Sequence, residues 1–112
     1  MDERRRCPRF RIDQVIKISY GEETFIQGSG INISECGVLL ETNEPVEPCT
    51  NIFLMINLPI GEEGEEFTCE GVVTRTERSG NKFNVAIEIT NIEDSIREKL
   101  RKYINDFLSG QE

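Results

Sequence analysis

Phe83-Asn84-Val85-Ala86-Ile87-Glu88-Ile89-Thr90-Asn91-Ile92 is where the chain changes its period. Phe83, Val85, Ile87 and Ile89 stand at every second position, with Asn84, Ala86 and Glu88 between them. A period of two places the apolar set on one face of a strand. From Ile92 the step lengthens to three and four, through Ile96, Leu100, Tyr103, Ile104, Phe107 and Leu108. That spacing draws an apolar stripe along one amphipathic helix, expected over 92–109. Asn91 reads as its N-cap, Glu93 and Asp94 suit the positive end of the helix dipole, and Gly110 reads as its stop. The stripe is most simply core, although it would also fit a partner subunit.

Working back toward the N-terminus, the period of two persists. Residues 67–77 form a long strand with a bend at Gly71, joined to the last strand by a turn at Arg78-Ser79-Gly80-Asn81. Residues 52–58 are the most apolar segment, with Ile52, Leu54, Ile56 and Leu58 on one face and Pro59 at the end. This is a central strand. The acidic run Gly61-Glu62-Glu63-Gly64-Glu65-Glu66 between them matches no calcium loop and reads as a solvated hairpin tip. Gly37 opens a short apolar run, Val38-Leu39-Leu40. A strand from about Thr24 to Ser34 carries Gly28 and Gly30, which mark a bulge, and its Ile31 and Ile33 alternate with polar neighbours. Residues 14–20 alternate with Ile16, Ile18 and Tyr20 on one face. Six short strands and one helix specify an all-β fold, a six-stranded antiparallel β-barrel over 14–89 with a C-terminal α-helix.

A chain of 112 residues is one domain by size. It has no run of about 18 apolar residues, so no membrane insertion is expected, and its charged start lacks the apolar stretch of a signal peptide. Cys7, Cys36, Cys49 and Cys69 show neither Cys-x-x-Cys nor zinc spacing. They read as free thiols of a cytoplasmic protein. Histidine is absent, no nucleophile stands beside a base, and no metal cluster is visible, so an enzyme is not expected. No cofactor is called for.

Charge is unevenly spread. Residues 1–11 hold five basic and two acidic groups, a balance of +3 in a chain of net charge −8. The body therefore carries −11. The arm reads Arg4-Arg5-Arg6-Cys7-Pro8-Arg9-Phe10-Arg11. Pro8 disfavours a regular helix and favours an extended Cys7. Planar guanidinium groups form paired hydrogen bonds to phosphate and to the O6/N7 edge of guanine, so the arm suits an anionic ligand. A solvated basic tail, or salt bridges to the acidic body, would give the same composition.

The second notable stretch is Asn32-Ile33-Ser34-Glu35-Cys36-Gly37, at a junction between strands. Asn32 and Ser34 are expected on one face of the strand end, where both could point at one ligand. Gly37 permits a backbone geometry that other residues resist. The same residues would equally make a turn whose side chains satisfy the local backbone.

Taken together, Arg5-x-x-x-Arg9 and Asn32-x-Ser34-x-x-Gly37 resemble the two signature motifs of the PilZ domain family, in the same order and at about the same separation. The resemblance runs through nearly the whole chain, including the 83–89 strand and the Leu100-Arg101-Lys102-Tyr103-Ile104 stretch of the helix; Ala86 departs mildly from the glycine of many members. It implies a Greek-key barrel and a receptor for cyclic di-GMP. Arg5 and Arg9 would grip guanine edges and phosphate. Asn32 and Ser34 would hydrogen-bond the guanine on the barrel side, and Gly37 would keep the barrel surface open. Arg4 would accompany binding of a second, stacked nucleotide. A receptor of this kind signals to an effector protein, flagellar, secretory or regulatory, that the sequence does not name. An adaptor that binds protein and not nucleotide is the rival within the family. A nucleic-acid-binding barrel is disfavoured, because such modules need a basic groove and stacking aromatics. This body is acidic, and the whole chain has only six Phe, two Tyr and no Trp.

Overall fold

The computed structural model describes residues 10–11, 15–19, 25–58 and 63–111. The strands are β1 (Phe10–Arg11), β2 (Val15–Ser19), β3 (Phe25–Ile33), β4 (Gly37–Thr42), β5 (Asn51–Leu58), β6 (Glu65–Ser79) and β7 (Lys82–Asn91), followed by the helix α1 (Asp94–Gln111). All pairings are antiparallel. β2 to β7 run around the sheet in the order β3-β2-β5-β6-β7-β4, and β4 returns to β3, closing a six-stranded barrel. β5 lies between β2 and β6 rather than beside β4, so the connection after β4 is a Greek-key crossover.

The alternation places the core as expected. Ile16 and Ile18 are fully buried, as are Leu54 and Leu58, with Ile52, Ile56, Phe67, Cys69, Val73, Val85 and Ile87 beside them. Lys17, Phe53, Asn57 and Glu88 point outward. Tyr20 and Pro59 lie outside the described residues.

Three irregularities shape the barrel. Ile31 is an extra residue between the pairs Gly30↔Leu40 and Asn32↔Leu39. The bulge near Gly28 and Gly30 is therefore real, but it overrides simple alternation: Gly30 and Ile33, three apart, are both buried, and Ile31 is half-exposed. The expected bend at Gly71 coincides with a register shift between Glu70 and Gly71. A second shift between Val73 and Arg75 has no glycine to announce it. Beyond it, β6 and β7 continue as a hairpin, with β7 paired to β4 as far as Phe83, and turn at Gly80 in the left-handed region (φ 65°).

The two barrel ends are closed differently. At one end, the crossover after β4 buries Val46 and is held to β6 by backbone bonds from Cys49 N–H to Val73 O (2.7 Å) and Val73 N–H to Thr50 O (3.0 Å). The Thr76 hydroxyl also donates to the Val46 carbonyl. The other end collects the ends of β3, β5 and β7 and the starts of β2, β4 and β6. There α1 packs Leu100 and Ile104 into the core, with Ile96 and Tyr103 against it, so this part of the stripe serves the chain's own core.

The helix limits differ from those expected. β7 continues to Asn91, whose side-chain amide donates to Glu70 Oε2 at 3.0 Å, so Asn91 is a strand residue and caps nothing. The first helical bond runs from Arg97 N–H to Glu93 O at 2.9 Å. Ile92 belongs to the buried link between strand and helix. Gly110 does not stop the helix, which ends at Gln111; glycine weakens helical backbone by about 1 kcal/mol without forbidding it.

Candidate functional site

The β3–β4 turn sits at the barrel end covered by α1. Its organiser is Ser34, which is only 2% exposed. The Ser34 Oγ accepts from the backbone N–H of Cys36 and of Gly37, both at 3.1 Å, and donates to the Gly37 carbonyl at 3.3 Å. The Ser34 backbone N–H donates to the same carbonyl at 2.9 Å. One hydroxyl with one proton and two lone pairs is thereby fully used. Asn32 is half-exposed, so the two side chains differ in their surroundings although they are two positions apart. β3 ends at Ile33, so Ser34 already belongs to the turn and strand alternation no longer applies to it. Ser34→Ala should cost about 1–2 kcal/mol of folding stability in thermal or urea melts, because two turn N–H groups lose their acceptor.

Gly37 is needed for space. A Cβ there would lie 2.5 Å from the Ile87 carbonyl oxygen. The turn is thus pressed against β7, and Ile89 N–H donates to the Cys36 carbonyl at 2.8 Å.

Two further features frame the turn. Arg101 of α1 donates from Nε (3.1 Å) and a terminal nitrogen (3.0 Å) to Glu35 Oε1 at the tip. The hydrogen bond and charge of Glu35, with Glu98 nearby, push the Arg101 pKa further up. Sequence reasoning gave Glu35 no role; only the fold brings it to a residue 66 positions away. On the other side, β1 pairs with β3 at Phe10↔Ile33 and Arg11↔Asn32. β4 already occupies one edge of β3 here, so β1 lies along the edge shared with β2. The root of the arginine-rich arm is therefore hydrogen-bonded beside Asn32. Arg4, Arg5 and Arg9 themselves lie outside the described residues.

The cysteines need one correction. Cys49 and Cys69 are free thiols, but Cys36 is disulfide-bonded, contrary to the expectation of free thiols throughout. Spacing along the chain carried no sign of this, because the bond depends on what the fold brings to the turn. Cys69 is buried, which pushes its thiol up to about 11, with Glu70 adding to the shift. Among the described residues no group of His, Cys, Asp and Glu is arranged to hold a metal, and no helix is long and apolar enough to cross a membrane.

A closed six-stranded barrel, a C-terminal helix over one end and an Asn-x-Ser-x-x-Gly turn beside the short strand β1 together define the architecture. The PilZ domain model matches residues 3–106, and the chain belongs to that family. No curated protein gives a sequence match. Among solved structures, the Bacillus subtilis inhibitor of motility (MotI/DgrA) superposes with a TM-score of 0.85 at 22% identity, over 99% of this chain and 55% of that one. The PilZ domain of Escherichia coli YcgR with c-di-GMP gives 0.71 at 12% identity, over 96% and 94%. The K. pneumonia MrkH–c-di-GMP complex gives 0.75 at 19% identity, over 99% and 55%. At these identities the likeness is one of fold. The chain spans about half the length of the motility inhibitor and of MrkH.

Proposed function

We propose that this protein is a cyclic di-GMP receptor, a binding module rather than an enzyme, acting in the cytoplasm on an effector protein. The observation that carries this reading is the pairing of β1 with β3, which sets the root of the arm beside Asn32. Family membership and c-di-GMP in the YcgR and MrkH structures support the choice of ligand. In this reading Arg5 and Arg9 grip guanine edges and phosphates, and Arg4 serves a second, stacked nucleotide. Half-exposed Asn32 bonds the guanine directly. Ser34 contributes mainly through the turn it holds, and Gly37 keeps the turn low against β7. The ligand is the only cofactor-like group required, and neither nucleic acid nor a membrane is a partner.

The signal is an order–disorder change of the arm. Residues 1–11 carry five arginines that repel one another and few apolar groups to bury. A ligand with at least two negative charges gives those guanidinium groups one centre, and the closed arm offers a new surface to the effector. Glu35 and Arg101 offer a second route, from the turn to α1. Hydrogen exchange tests the arm directly, with thiols kept reduced. Amides of residues 2–9 should exchange fast in the free protein and slow on addition of cyclic di-GMP. Protection already complete without ligand would contradict the switch and shift attention to α1. The rival adaptor function predicts no change at all on adding nucleotide.

A further inference from the structure

On an antiparallel barrel whose inner face is core, the outward positions should be polar. Three neighbouring positions on the wall formed by β5 and β6 depart from this. Phe53 and Met55 share the outer face of β5, and Val72 stands on β6 opposite Asn51. Phe53 is 52% exposed and, among the described residues, is the one large apolar side chain left so open. Met55 and Val72 are half-buried. The core beneath is filled from the other face by Ile52, Leu54 and Ile56, so Phe53 adds nothing to it. Phe53 faces Glu70 across the ladder, which makes Val72 its diagonal neighbour. Positions two apart on one strand lie about 7 Å from each other, and diagonal ones roughly 7–8 Å. Met55, Phe53 and Val72 therefore draw one apolar line about 14 Å long.

One flank of this line is acidic. Glu66, Glu70 and Glu88 are exposed along β6 and β7, with Glu88 paired to Val72. Elsewhere carboxylates are neutralised: Glu35, Glu41, Glu65 and Glu77 stand within ion-pair distance of Arg101, Lys82, Lys99 and Arg75. Glu66, Glu70 and Glu88 have no ion-pair partner among the described residues, and Glu70 accepts instead from the Asn91 amide. Lys17, opposite Met55 on β2, borders the other flank. We propose that this wall is the docking surface for an amphipathic, cationic helical segment of a partner protein. Its apolar stripe seats on Met55, Phe53 and Val72, and its Lys or Arg flank meets Glu66, Glu70 and Glu88. Helix positions i, i+4 and i+8 span about 12 Å, which matches the length of the apolar line.

Charge decides the occupant. A second copy of this chain, with net charge −8, would set the same unpaired carboxylates against their own kind. A cationic segment cancels them, and an aromatic anchor with a charged rim is the arrangement that concentrates binding energy. The wall also reaches the candidate site. Val72 pairs with Glu88, and Glu88 pairs with Gly37, so one outward row runs from the apolar line to the β3–β4 turn. That the docked segment belongs to the effector rests on the receptor reading above; the docking itself does not.

The test selects a displayed library of random peptides, long enough for several helical turns, on the full chain without nucleotide and with thiols reduced. Enriched peptides should carry Lys or Arg beside apolar residues at steps of three and four. Calorimetry with one such synthetic peptide should show a loss of at least about tenfold in affinity for Phe53→Ser. Glu88→Lys should lose several-fold, and binding should weaken as salt rises. Thermal melts of Phe53→Ser should match the parent; if they do not, Glu88→Lys, a change on the surface, decides the matter. No enriched peptide, enrichment of peptides without cationic residues, or equal affinity for the parent and the folded variants overturns the proposal. Self-association in ultracentrifugation that Phe53→Ser abolishes assigns the wall to a second copy and overturns it too. Nucleotide is absent from these titrations, so their failure leaves cyclic di-GMP binding standing, and failure of cyclic di-GMP to bind leaves the docking surface standing.

Discussion

Arg5→Ala and Arg9→Ala should each weaken cyclic di-GMP binding by about 1.5–3 kcal/mol, the range for hydrogen bonds to charged groups, or roughly tenfold to beyond a hundredfold in Kd. The arm carries +3 and the rest of the chain −11, so an anionic ligand would find its main cationic complement in the arm. Thermal stability without ligand should hardly change, since Arg5 and Arg9 are charged side chains with little apolar surface to give to a core. A large fall in Tm of the ligand-free variants would mean that the arginines are structural. Arg4→Ala should act differently in the same titrations. It should reduce the stoichiometry from near two toward one, because a second nucleotide brings two more phosphates to neutralise. A stoichiometry near one in the parent, unchanged by the substitution, would remove Arg4 from the site.

Gly37→Ala should be the most damaging single change in the turn. The new methyl would stand 2.5 Å from the Ile87 carbonyl oxygen, and that oxygen is backbone within a paired strand. Relief requires β4 and β7 to separate where Gly37 pairs with Glu88 and where the Ser34 hydroxyl accepts the Gly37 N–H. Overpacking of this kind costs about 1–3 kcal/mol, and loss of the Ser34 bonds adds to it. Urea melts should show the drop, and nucleotide affinity should fall with it, because Asn32 pairs with Leu39 of the displaced strand. Unchanged stability would show that the turn is looser than this geometry requires.

The barrel was legible because its strands are half-buried. Ile16 and Ile18, Leu54 and Ile56, and Val85 and Ile87 sit inside, with polar neighbours outside, and a period of two survives in the residue order. The helix was legible from Ile92, Ile96, Leu100 and Ile104, but its start was not. Asn91 is a good cap by type, yet the last strand carried on through it to meet Glu70, and tertiary pairing outweighed local preference. Bulges were half-legible: Gly28, Gly30 and Gly71 gave warning, whereas the shift between Val73 and Arg75 had no such residue to mark it. At the site, the residue types were readable and their physical duties were not. Ser34 turns its hydroxyl to its own backbone, and Gly37 answers to a carbonyl on a strand 50 residues further along. The Glu35–Arg101 pair and the Cys36 disulfide depend on neighbours that only folding supplies.

Calorimetric titration of the full chain, thiols reduced, with cyclic di-GMP, GTP and cyclic di-AMP tests the receptor reading most directly. Saturable binding of cyclic di-GMP, weakening as salt screens the arginine contacts and with no comparable response to the other two, is the predicted result. No binding at tens of micromolar, the scale of ordinary metabolite affinities, would contradict it and leave a PilZ barrel that works through protein contacts alone.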